Sequence, residues 1–162
     1  MVLTKSKAHI VLALGALALG GAVVAQAEAP AAGAGRKAVE ERKAVYALVG
    51  ASFRPLGAIL KGDAPYAAAE VNKRLSRLAV LAPYTPEVFS DASNLGEPET
   101  KAKPEVWSKR ADFDAKQKEF VTDVAALVAV NGKDQALSEN FKTALGKAAE
   151  DCKGCHDDFK LK

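Results

Sequence analysis

Residues 137–159 read LSENFKTALGKAAEDCKGCHDDF, and the apolar positions Leu137, Phe141, Ala144, Ala148, Cys152, Cys155 and Phe159 recur at steps of three and four. That period superposes the side chains on one face of an α-helix. The charged residues fall between them, so the segment is amphipathic and both thiols are expected on its buried seam. A helix with one apolar face needs partners of the same kind.

The rest of the chain supplies them. Val39, Tyr46, Val49, Phe53, Leu56 and Leu60 mark a first helix that stops at Lys61-Gly62-Asp63. Pro55 lies inside it and removes one backbone donor, which predicts a kink or local loosening near Ser52 and Phe53. A second helix, from about Pro65 to Leu81, repeats Val71, Leu75, Leu78 and Ala82 before Pro83 and Pro86 end it. The stretch from there to Lys103 has no sustained period and reads as a long surface connection. A third helix opens at Pro104-Glu105, buries Val106, Phe113, Phe120, Val124 and Leu127, and is expected to close at Asn131-Gly132. No window reads as a strand. These four segments predict an all-α, antiparallel up-down-up-down four-helix bundle.

At the N-terminus, Lys5 and Lys7 precede an uncharged apolar run from Ile10 to Ala25, which ends in Ala25-Gln26-Ala27. This is the pattern of a secretory signal, and the run is too short to span hydrocarbon comfortably. We expect residues 1–27 to be removed, residues 28–35 to form a flexible linker and residues 36–162 to make one folded domain. The expected compartment is the periplasm of a Gram-negative bacterium, with no stable membrane insertion after cleavage. Loss of Lys5 and Lys7 leaves 21 basic against 20 acidic side chains, without the cationic excess that nucleic acid requires.

Cys152-Lys153-Gly154-Cys155-His156 matches Cys-x-x-Cys-His, the attachment signature of haem c, in which two thiols join the porphyrin and the imidazole binds iron. Cys152 and His156 are one helical turn apart on one face. A structural disulfide would leave His156 as a coincidence. A thioredoxin-like pair belongs beside a βαβ unit and at a helix start. A zinc site lacks ligands, because after loss of residues 1–27 every Cys and the single remaining His fall in these five residues. One covalently bound haem c, with its iron, is the expected cofactor.

Met and a second His are the usual sixth ligands of iron in electron-transfer cytochromes. Met1 and His9 both belong to the expected signal, so five-coordinate iron, open to diatomic gases, is predicted. Without a second metal site or a distal acid-base His, specific catalysis is not expected, and the chain reads as a binding protein rather than an enzyme.

Further residues carry a family resemblance: Arg42-Lys43 followed by a bulky residue, Phe53, Ala64-Pro65-Tyr66, Pro104-Glu105-Val106-Trp107 and the Cys-Lys-Gly-Cys-His-Asp-Asp-Phe ending. From the first helix to the end the chain resembles cytochrome c prime, the class II cytochromes c. The resemblance implies a homodimeric periplasmic protein with high-spin iron that binds nitric oxide and carbon monoxide and exchanges electrons with an unidentified redox partner. By position, Tyr46 and Phe53 fall in the distal pocket, with Tyr46 over the open iron face as ligand, as obstacle or simply as a core residue. Arg42 matches the partner of a haem propionate, the alternative being a solvated helix charge. Lys160, one turn after His156, replaces the Arg common in relatives as the neighbour of the proximal imidazole. Trp107 reads as a core or haem-edge aromatic. A low-spin class II cytochrome that only carries electrons is the alternative function.

Overall fold

The computed structural model describes residues 32–162. The expected signal 1–27, its cleavage after Ala27, residues 28–31 of the expected linker, and with them Met1 and His9, lie outside the described residues.

Helix α1 spans Ala32–Lys61, so residues 32–35 are helical where a flexible linker was expected. Tertiary packing explains the difference. At Gly35 an added Cβ would come within 2.6 Å of the Ala92 carbonyl oxygen, so the connection after the second helix lies directly on the start of α1. The expected loosening at Pro55 is compensated rather than expressed. Pro55 has no N–H for the Ala51 carbonyl four residues earlier, and Arg74 Nη1 donates to that oxygen instead at 3.1 Å. The helix is continuous through Pro55 and ends at Gly62, whose φ of +82° is a conformation that side chains disfavour.

Helix α2 spans Ala68–Leu81 and buries Val71, Leu75 and Leu78. It starts later than expected because Pro65 and Tyr66 stay outside it. The Tyr66 hydroxyl donates to Asn131 Oδ1 at 2.8 Å, and its ring meets Phe141 edge to face.

The expected third helix is two pieces, α3 over Glu105–Ser108 and α4 over Arg110–Asp134, broken at Lys109 with φ −115° and ψ 49°. The break lets both sides reach the preceding connection. Trp107 Nε1 donates to the Ser90 carbonyl and Arg110 Nη1 to the Phe89 carbonyl. Nor does α4 close at Asn131-Gly132: Asn131 is buried, and its side chain holds Tyr66 and Asn72 instead of capping. The left-handed residue that ends the helix is Gln135, at φ 44°.

Helix α5 spans Glu139–Phe159, and its N-cap Ser138 accepts the Phe141 N–H at 3.1 Å. Leu137 precedes the cap and is exposed, so it is not part of the buried seam. Among the described residues no strand forms; the one isolated bridge pairs Ala102 with Lys160.

Helices α1, α2, α4 and α5 make the four-helix bundle around a core that includes Leu56, Leu75, Leu78, Leu127, Phe141 and Leu145. A second cluster of Val88, Phe89, Val106, Phe113 and Phe159 closes one end. The stretch 82–103 is therefore more than a surface connection. It carries two short 3-10 turns, Ala82–Tyr84 and Asp91–Ser93, and plugs that end of the bundle with Val88 and Phe89.

Candidate functional site

Cys152 and Cys155 lie on the inward side of the last two turns of α5, as half-buried free thiols. Burial pushes the Cys152 thiol up to about 11, with the Asp151 carboxylate adding to it. Burial also raises Cys155, against a lowering pull from Lys116. Such thiols are poor thiolates at neutral pH, which argues against a dithiol redox pair. Burial, followed by the charge of Lys160, holds the His156 imidazole below its ordinary value and favours the neutral form that a metal requires.

These three side chains line one wall of a cavity of about 570 Å³. The opposite wall is α1, where Arg42, Tyr46, Val49 and Phe53 follow at helical spacing. Helix α4 contributes Phe113, Gln117 and Phe120, and the connection contributes Phe89, Thr100 and Ala102. The volume lies within the range of pockets that hold a cofactor. Aromatic contacts stiffen the walls: Phe89 meets Phe113 with centroids 4.6 Å apart, and Phe113 meets Phe159 at 5.3 Å.

Arg42 is buried, 5% exposed, and its guanidinium is fixed by the connection. Nη1 donates to Ser93 Oγ at 2.6 Å, and Nη2 donates to the Ser93 carbonyl and to Thr100 Oγ1. Its plane lies over the rings of Phe89 and Trp107. Three of its five N–H groups are thus engaged and the others remain for a further acceptor. Trp107 is partly buried against the second core cluster and does not line the cavity.

The phenol oxygen of Tyr46 accepts a hydrogen bond from Gln117 Nε2 at 2.8 Å, and its ring meets Phe89 edge to face. Burial drives its pKa well above the ordinary 10, so the phenol stays protonated. Phe53 is half-buried on the same wall. Lys160 reaches the neighbourhood of His156 by a different route from the expected helical turn. Helix α5 ends at Phe159, and Lys160 is extended, held where Lys103 N donates to the Phe159 carbonyl and Leu161 N to the Lys101 carbonyl.

Sequence reading thus named the α1 and α5 walls. It missed Gln117, Thr100, Ser93 and Phe89. Gln117 had a legible signal, because it falls between Phe113 and Phe120 on the inward seam of the third predicted helix; the other three lie in a stretch without period.

Two half-buried thiols, one imidazole, apolar aromatic walls and the surrounding cations Arg42, Lys43, Lys101, Lys116 and Lys160 fit haem c, an apolar ring with an iron centre and two acidic arms. Comparison with known proteins gives the family of the chain. The family model described as Cytochrome C' matches residues 37–160. A cytochrome c' from Cereibacter sphaeroides is 36% identical over 126 residues, covering 76% of this chain and 83% of the relative. The solved structure of cytochrome c prime from Shewanella frigidimarina superposes with a TM-score of 0.71 at 35% identity, covering 79% of this chain and 97% of that one. A ferrous variant of cytochrome c prime from Alcaligenes xylosoxidans with bound NO superposes with a TM-score of 0.69 at 30% identity, covering 79% and 96%. With its bundle, its cavity and its paired cysteines before a histidine, this chain belongs to the cytochrome c' family.

Proposed function

We propose that this protein holds one haem c through thioether bonds from Cys152 and Cys155, with His156 as the axial ligand and no protein ligand on the opposite side of the iron. The iron supplies reversible electron transfer and an open position for nitric oxide or carbon monoxide. The observation that carries the reading is the cavity itself, with Cys152, Cys155 and His156 on one wall and Tyr46 and Phe53 on the facing one.

The chain's own residues do the rest. Arg42, anchored by Ser93 and Thr100, keeps two N–H groups for a propionate, as a guanidinium suits a carboxylate. Tyr46 remains protonated and hydrogen-bonded to Gln117, which makes it an obstacle over the iron face rather than a ligand. His156 is the single His or Met in residues 32–162, so no stronger internal sixth ligand competes. Tyr46 and Gln117 do not exchange protons near neutral pH, so the role is binding and electron exchange rather than catalytic turnover.

Export to a periplasm follows from residues 1–27 and suits haem attachment outside the cytoplasm. A homodimer suits the exposed apolar side chains Leu48 of α1 and Val80 of α2, 55% and 63% exposed.

Absorption spectra and intact mass of protein matured with haem-attachment machinery test the proposal. We expect a mass increase of one haem, a high-spin ferrous spectrum, and new bands with carbon monoxide and nitric oxide. A protein at its bare mass with no Soret band defeats the attachment. A sharp low-spin ferrous α band without added ligand defeats the open position and leaves a plain electron carrier.

A further inference from the structure

Of the buried polar side chains of α4, Gln117, Asp123 and Asn131, Gln117 is the one that lines the cavity. Its neighbours on the inward seam, Phe113, Phe120 and Val124, are apolar, and the amide is only 3% exposed. Burying an amide is unfavourable unless it is paired. The partner it finds is 71 residues away on the facing wall, where Nε2–H donates to the Tyr46 phenol at 2.8 Å. Thr85, from the connection, is the second polar neighbour of that phenol, and the Phe89 ring packs against it. Thr85 is itself immobilised, since its hydroxyl donates to the Ala82 carbonyl at 2.8 Å. Helix α4 and the connection thus grip one ring carried by α1.

We propose that Gln117 is the positioning residue of the ligand side: it pins the Tyr46 phenol to the α4 wall, and a small ligand gains room only when this hydrogen bond breaks. The inference rests on the reading of Tyr46 as the residue over the open iron position. It adds a specific barrier. A residue that blocked by bulk alone would behave alike with Phe in its place, whereas a pinned ring is released by losing either hydrogen-bond partner. Gln117 acts through Tyr46 and is not itself a ligand.

The test uses the haem-loaded protein and carbon monoxide, with Gln117→Leu, Gln117→Glu, Tyr46→Phe and the double variant Tyr46→Phe/Gln117→Leu. Gln117→Leu is expected to speed carbon monoxide association roughly two- to ten-fold, the factor set by one buried neutral hydrogen bond. Gln117→Glu, which loses the N–H donor but can restore the contact in the opposite sense by accepting from the phenol, is expected to stay near the wild-type rate. Tyr46→Phe should match Gln117→Leu, and the double variant should be no faster than either single one. In the ferrous form before carbon monoxide is added, NMR should show a Gln117 side-chain amide proton protected from exchange, with the protection lost on carbon monoxide binding and in Tyr46→Phe. An unchanged rate in Gln117→Leu, an equal acceleration when it is added to Tyr46→Phe, or an unprotected amide in the wild type overturns the proposal. If Gln117→Leu fails to fold, Gln117→Met carries the same comparison, and the amide protection is read on the wild type regardless. A wild-type protein that lacks haem or is low-spin sinks the underlying reading instead, before any variant is compared.

Discussion

At the scale of single residues, Arg42 and Asp151 show how buried charge constrains this site. Arg42→Met removes three hydrogen bonds and leaves the Ser93 carbonyl without its side-chain donor, while Ser93 Oγ and Thr100 Oγ1 keep only the Ser90 carbonyl and the Ala102 N–H. We expect a loss of about 2–4 kcal/mol in denaturant unfolding and faster proteolysis within 90–100, since an unsatisfied buried polar group costs about 1–3 kcal/mol. Unchanged stability would mean that the connection holds itself. Asp151 is half-buried beside Cys152, with Oδ2 buried and unpaired. Burial first, then the neighbouring Asp123 carboxylate, pushes its carboxyl up to about 6. A raised carboxyl pKa means that the fold favours the protonated form. The stability from this group is therefore full below pH 3.8 and is lost as pH rises through about 6. Asp151→Asn is expected to stabilise the protein at pH 7.5 by about 1 kcal/mol or less after solvent screening, read as a higher Tm, with the gain fading toward pH 4. A gain that grows on acidification would contradict this.

At the scale of elements, helix ends and a proline are repaired by distant side chains. Ser138 caps α5, the helix that carries the haem motif. Ser138→Ala is expected to cost about 1 kcal/mol in thermal unfolding. The carbonyl left by Pro55 is answered by Arg74, which also pairs with Glu70 on its own helix α2. Arg74→Met should destabilise the wild type more than it destabilises Pro55→Ala, where residue 55 regains an N–H for Ala51. A double-mutant cycle on Tm measures the difference, and strict additivity would show that Arg74 does not serve that carbonyl.

At the scale of the whole molecule, a cavity of about 570 Å³ crosses the end of the bundle, and its walls come from α1, α4, α5 and the connection. Such a space lowers stability unless it is filled. Protein with both Cys152→Ala and Cys155→Ala, which cannot hold haem covalently, is expected to melt well below the loaded protein and to bind hydrophobic dyes, by calorimetry and fluorescence. Equal melting points would show that the walls close by themselves. Association belongs to the same scale. Leu48→Glu with Val80→Glu should shift sedimentation toward monomer with the absorption spectrum intact, because those side chains are exposed and do not line the cavity.

The local period of apolar residues and the spacing Cys152, Cys155, His156 determined the helices, the bundle and the wall that carries those three side chains, because helical neighbours are set by sequence separation alone. Tyr46 and Phe53 fell on the inward face of α1 for the same reason, while their place in a ligand pocket came from the family resemblance. Only the tertiary structure decided that Ser93 and Thr100 anchor Arg42, that Gln117 grips Tyr46, and that Asn131 carries α4 past its expected end. Those contacts join residues 51, 58, 71 and 65 positions apart, and chain separation of that size leaves no periodic trace. Buried polar groups find their partners wherever the folded backbone brings one within hydrogen-bond reach.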